Sequence, residues 1–228
     1  MTKSEHITFP ANGGSGQGYL ALPEGQGPHR AVVVIQEWWG LNEHIKDIAR
    51  RFADVGYMAL APDLYHGAVA DEPDDARRLV MDLQIPEAAK EMSGAAAYLA
   101  GRDDVAPKKV GTIGFCVGGS LALLLAATSP QIGAVASFYG GRPMSADELR
   151  SITAPVLAIF GGADAGIPPE RHAALDSALG EIGVPHEIHV YPGAPHAFFN
   201  DARPHAYHPE AAKDAWARTL TWFDTYLK

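Results

Sequence analysis

The residues of this 228-residue chain that could do chemistry sit on a few short turns. The sharpest is Gly114-Phe115-Cys116-Val117-Gly118-Gly119, where the single cysteine lies after an apolar strand-like run and before an apolar helix-like one. This is the nucleophile-elbow pattern G-x-S-x-G with cysteine in the serine position. A strand-to-helix turn that tight strains the backbone at the nucleophile, and side chains two residues to either side would collide with neighbouring elements. The N-terminus of the following helix favours negative charge on the sulfur, the form that attacks carbon. An inert buried cysteine is the alternative. The setting in this turn argues for catalysis.

A triad built on such an elbow needs an acid and then a histidine further along the chain. Asp164 follows Pro155–Phe160 through Gly161-Gly162-Ala163, and His196 lies in Pro195-His196-Ala197-Phe198 beyond the run ending at Tyr191. Taken singly, Asp164 reads as a turn former and His196 as a loop histidine. Three members in the right order, each after its own strand, read as a triad in which Asp164 fixes the His196 tautomer and His196 moves the proton. The backbone amides of Val117 and Trp38 are the expected oxyanion donors, each such donor being worth about 3 kcal/mol in the transition state. Glu37 ends a buried run, where a carboxylate is costly unless paired. Trp39 and Phe198 are expected to line the pocket.

The chain has 10 histidines, but their spacing gives little support to a metal. His205 and His208 are flanked by Pro204 and Pro209, which argue against a shared helical face, and His186 and His189 point to opposite sides of a strand. No metal or other cofactor is expected.

Positioning these residues requires an alternation of strands and helices. Residues 30–36, 57–61, 109–115, 133–138, 155–160 and 186–191 read as strands. Residues 43–55 place Ile45, Ile48, Ala49 and Phe52 on one helical face, with Asn42 as cap and Gly56 beyond the end. Further helices are expected over 117–128, 169–182 and from about Pro209, the last burying Trp216, Leu220, Phe223 and Leu227. This predicts an α/β fold with a mostly parallel central sheet of about seven to eight strands and helices on both faces. Residues 4–23 predict an antiparallel N-terminal edge hairpin. Residues 66–100 hold two helical stretches, about 73–83 and 87–100, with no strand between them. Leaving the carboxyl end of the sheet, that excursion is placed to roof a pocket.

Composition sets the remaining bounds. Hydrophobic residues make up 47% and charged residues 20%, ordinary for a single globular domain spanning 1–228. The net charge of −9, without a basic stripe, argues against a nucleic-acid partner. The opening MTKSEHITFP has no apolar leader segment, and the longest strongly apolar run, Leu121 to Ala127, is too short to span a bilayer. A cytoplasmic protein, monomeric or weakly homodimeric, is expected. One cysteine excludes an internal disulfide.

With these motifs in hand, the sequence resembles the dienelactone hydrolase (carboxymethylenebutenolidase) family of α/β-hydrolases over nearly its whole length. The likeness rests on Gln36-Glu37-Trp38-Trp39-Gly40-Leu41-Asn42, Ala61-Pro62-Asp63-Leu64-Tyr65, the Cys116 elbow and Pro195-His196-Ala197-Phe198. Cysteine in the elbow together with Glu37 is distinctive, since most α/β-hydrolases use serine and lack that glutamate. The resemblance implies an α/β-hydrolase fold and Cys116, Asp164 and His196 as the triad. It also implies Glu37 as the group that interacts with the thiol and helps to activate it when substrate binds. The implied reaction opens a lactone or enol ester through a thioester and needs no cofactor. Family arginines bind the substrate's free carboxylate. Here the position four residues after the histidine is Asn200, and the position expected near residue 73 is Pro73, with Arg77 and Arg78 close by. Arg77, Arg78 and Arg203 are therefore the candidate carboxylate readers. A general carboxylesterase or thioesterase for neutral esters, and a non-catalytic binder of small ligands on the same scaffold, are the competing readings.

Overall fold

The computed structural model describes residues 3–11 and 13–228. Met1 and Thr2, in the opening segment read above as lacking a leader, and Asn12, in the predicted hairpin, lie outside the described residues. Eight strands form one sheet in the order β1-β2-β4-β3-β5-β6-β7-β8. They are β1 Lys3–Ala11, β2 Gly14–Leu22, β3 Arg30–Ile35, β4 Tyr57–Pro62, β5 Val110–Phe115, β6 Ile132–Phe138, β7 Val156–Gly161 and β8 His186–Tyr191. The edge hairpin β1–β2 is antiparallel and joins β4 in antiparallel register, Leu20 opposite Leu60. From β4 to β8 every pairing is parallel. Parallel strands are covered on both faces and so read as unbroken apolar runs, and β4, β5 and β7 are buried throughout.

The helices are α1 Glu43–Asp54, α2 Pro73–Asp82, α3 Ile85–Gly101, α4 Val117–Thr128, α5 Ala146–Arg150, α6 Pro169–Glu181 and α7 Pro209–Tyr226. Asn42 caps α1 by accepting from the Ile45 amide at 3.2 Å, and Gly56 takes φ +93° just past its end. Phe52 joins α1 to α7 by packing against Trp216 and Phe223. Those two helices cover one face, while α3, α4, α5 and α6 follow one another across the other. Each large side chain buried this way contributes about 1.5–3 kcal/mol. Among the described residues no helix is long and apolar enough to cross a membrane.

One expectation about the fold needs correction, and one element was missed. The 66–100 excursion is not a roof as a whole: α3 packs on β1 to β5 with Met92, Ala95, Ala96 and Leu99 buried, as an ordinary sheet-covering helix. Its alanine-rich apolar face is core rather than lid. The short helix α5, capped by the Ser145–Glu148 box, has too few residues for periodicity to reveal it and was not predicted.

Candidate active site

All the strand ends that carry chemistry open on one side of the sheet. Cys116 takes φ 58° and ψ −120° between β5 and α4, a left-handed conformation that costs a non-glycine residue of order 1–3 kcal/mol. The flanking glycines allow it. A Cβ at Gly114 would lie 1.9 Å from the Gly118 carbonyl oxygen, and one at Gly118 would lie 2.3 Å from that of Gln36. Val117 is the first residue of α4, so its amide has no intrahelical acceptor and is free to donate.

Asp164 and His196 meet across the ends of β7 and β8, His196 Nδ1 lying 2.6 Å from Asp164 Oδ2. Asp164 Oδ1 accepts from the Gly166 amide at 2.9 Å, which fixes the carboxylate plane. Burial opposes ionisation of Asp164, but the hydrogen bond and charge of His196 outweigh it and hold the carboxyl below its usual range. For His196, burial disfavours the charged ring, yet the Asp164 and Cys116 hydrogen bonds and charges prevail and raise it to about 10. With Nδ1 committed to Asp164, Nε2 remains for the thiol. The three residues read as a triad are thus brought together with the histidine between acid and sulfur.

Glu37 is 1% exposed and paired inside the protein. Asn200 Nδ2 donates to its Oε2 at 2.6 Å, and Tyr139 Oη donates to its Oε1 at 3.4 Å. Burial pushes the carboxyl up, while Asn200, His196, Tyr139 and Arg203 pull it down. Neither partner was read from the sequence. Asn200 stood out only as a lost arginine, and Tyr139 lies just beyond β6, where the apolar run ends. Its position at the carboxyl end of a central strand was the available signal. Tyr139 holds φ 40°, and its ring centroid is 5.0 Å from that of His196.

A cavity of about 560 Å³ opens over these groups, lined by Glu37, Trp38, Trp39, Cys116, His196 and Arg203, with Pro73, His205 and other residues completing its wall. The Arg203 guanidinium lies 3.4 Å from the centroid of a Trp39 ring, a cation–π contact. Among the described residues it pairs with no carboxylate. Other candidates fall elsewhere. Arg77 and Arg78 pair with Asp74 and Asp75 on the exposed side of α2, their side chains 64% and 75% exposed, and do not line the cavity. The i, i+3 spacing pairs them within their own helix, while the opposite face of α2 buries Ala76 against Trp39. Phe198 is fully buried in the core, its ring 5.6 Å from Tyr139 and 5.3 Å from Tyr191, rather than lining the pocket. His208 caps α7 by accepting from the Ala211 amide. No group of three or more potential metal ligands occurs among the described residues.

Known proteins share this arrangement of chain. The model of the dienelactone hydrolase family matches residues 17–227. "Protein usf" of Aquifex pyrophilus is 36% identical over 97% of this chain and 98% of its own. A protein of Aquifex aeolicus named "Putative carboxymethylenebutenolidase" is 34% identical over 97% and 98%. The crystal structure of a dienelactone hydrolase-like promiscuous phosphotriesterase, P91, from metagenomic libraries superposes with a TM-score of 0.90 at 25% identity, covering 100% of this chain and 99% of that one. The chain belongs to the dienelactone hydrolase family and is a hydrolase of that family.

Proposed function

We propose that the protein opens small lactones or enol esters, of dienelactone type with a maleylacetate-type product, through a Cys116–His196–Asp164 triad and a thioester intermediate. The observation that carries this reading is the strained Cys116 elbow at the wall of the cavity with the 2.6 Å His196–Asp164 pair beside it. His196 Nε2 takes the thiol proton as Sγ attacks the acyl carbon. The oxyanion that forms accepts from the Trp38 and Val117 amides, and its collapse breaks the ester C–O bond. The enolate or alkoxide that leaves gains the proton held by His196. Water, deprotonated by His196, then cleaves the thioester, and the returning proton restores the thiol. By family likeness Glu37 interacts with the thiol and helps to activate it when substrate enters, leaving the contacts it makes at rest with Asn200 and Tyr139.

A second reading has a specific observation in its favour. Of the three arginines considered, only Arg203 lines the cavity, whose wall beyond Glu37, Cys116, His196 and His205 is apolar, from two tryptophans, two prolines and two alanines. A carboxylesterase or thioesterase acting on neutral esters fits that lining. The test is the initial rate of dienelactone ring opening, with a simple aryl ester and Cys116→Ala alongside. A dienelactone rate lost in Cys116→Ala supports the first reading, and Cys116-dependent cleavage of the aryl ester alone supports the second. No Cys116-dependent turnover of either would leave a ligand binder on the same scaffold. Our reading also has the protein cytoplasmic and monomeric or weakly dimeric, which cell fractionation and size-exclusion chromatography check.

A further inference from the structure

Two polar groups behind the elbow are unused by this chemistry. Tyr65 is 9% exposed, its Oη is buried, and neither Oη nor the buried Nε2 of Gln36 closes a hydrogen bond. Buried donors without partners are costly, and their persistence calls for a state in which they are satisfied. Both are firmly placed. Gln36 Oε1 accepts from the Leu64 amide at 3.2 Å, and Asp63 Oδ1 accepts from the Tyr65 amide at 3.2 Å. The Tyr65 ring is wedged against Gly40, where an added Cβ would approach its Cδ2 to 3.3 Å. The phenol lies in the field of the Cys116 sulfur, and the Gln36 side chain stands beside it as a donor, close enough to act on it though short of a well-formed hydrogen bond. Tyr65 follows β4 and Gln36 follows β3, both on one side of β5, whereas His196 comes from the far side beyond β8.

We infer that Tyr65 Oη, supported by Gln36 Nε2, is a donor to the Cys116 sulfur, stabilising the negative charge that appears there when the thiol proton passes to His196. A phenol that keeps its proton can serve a thiolate but adds little to a thiol. The remaining titratable groups around the sulfur are His196 with Asp164 behind it, Glu37 from the end of β3 and Tyr139 from the end of β6. The inference rests on Cys116 being the nucleophile, and its test is chosen to be separable from that reading.

The experiment is the rate of iodoacetamide alkylation against pH for the parent and Tyr65→Phe, with kcat and KM for para-nitrophenyl acetate. Cys116 is the chain's single cysteine, so labelling reports on it without any substrate. The expected result is a midpoint raised by about half to one unit in Tyr65→Phe, a three- to tenfold slower alkylation below it. A lower kcat with unchanged KM and a melting temperature no lower than the parent's accompany it. An unchanged alkylation profile overturns the inference whatever happens to kcat, because a donor to the substrate oxyanion would act only during turnover. A lower melting temperature overturns it too, by giving the hydroxyl a structural partner. If the parent turns over para-nitrophenyl acetate in a Cys116-dependent way, either result leaves the nucleophile standing.

Discussion

Asn200 Nδ2 donates to Glu37 Oε2 at 2.6 Å where each residue is only 1% exposed. A residue that replaces an expected arginine therefore does a different job: it satisfies a buried carboxylate without adding charge. Asn200→Ala removes that donor and is expected to destabilise the fold by about 1–3 kcal/mol. Burial already favours the protonated form of Glu37, and losing Asn200 raises its carboxyl further. A folded-state value above the unfolded one means that stability falls as pH rises through the interval between them. Urea unfolding of Asn200→Ala from pH 4 to 8 should therefore show a steeper loss of stability towards high pH than the parent. Parallel curves would contradict this account of the pair.

His196 owes its raised value to Asp164 and Cys116 working against burial. A raised histidine contributes stability that is complete below about pH 6.5, the unfolded value, and is lost as pH rises through about 10. The His196 side chain is 40% exposed, so solvent screening keeps that contribution small. The titration itself is the better readout. NMR of the His196 ring in Asp164→Asn should show a value shifted down, with kcat reduced by roughly a factor of 10³–10⁴ as the imidazole loses its orienting partner. A titration unmoved by the substitution would rule out Asp164 as that partner.

Arg203 stacks on Trp39, and among the described residues it has no carboxylate partner, which leaves its N–H edge for ligand. Arg203→Met is expected to lower kcat/KM for an ester bearing a free carboxylate by about 10- to 100-fold, the loss of one charge-assisted contact. A neutral ester of the same shape should change by no more than about threefold. Arg77→Ala and Arg78→Ala, whose side chains project into solvent, should leave both rates unchanged and shift stability by less than about 0.5 kcal/mol. Steady-state kinetics on the paired substrates decides, and an equal effect of Arg203→Met on both would remove the charge-reading role.

Gly114 is held by the elbow itself. The Gly118 carbonyl oxygen sits 1.9 Å from where a Cβ would be, and backbone cannot yield as a flexible side chain does. Gly114→Ala is expected to destabilise by about 3 kcal/mol or more and to lower kcat as Cys116 shifts. Thermal melting measures the first, and a variant as stable as the parent would show that the turn relaxes freely.

Much of this was legible before any coordinates. Buried parallel strands leave continuous apolar runs, so β3 to β8 stood out within a residue or so, and the elbow glycines marked Cys116 because their absent side chains are a steric requirement. Asp164 and His196 were picked out by their order after the elbow, each behind its own strand, and their side chains meet at 2.6 Å. Partners were harder to see. Asn200 and Tyr139 reach Glu37 from elements 163 and 102 residues away, a relation no local periodicity encodes. Arg77 and Arg78 had the right chemistry near the right place in sequence, but helix geometry turned them outward, away from the face of α2 that packs on Trp39. Phe198 misled for the opposite reason: two residues after His196 in sequence, it enters the core while the histidine faces the cavity.

The central claim is that Cys116 carries the acyl group. Rapid mixing with para-nitrophenyl acetate, followed by intact-protein and peptide mass spectrometry, tests it directly. A burst of one equivalent of para-nitrophenol per active site, one acetyl group on the peptide containing Cys116, and neither in Cys116→Ala are the predicted results. Turnover with no acetyl on Cys116, or a burst that survives Cys116→Ala, would contradict the account.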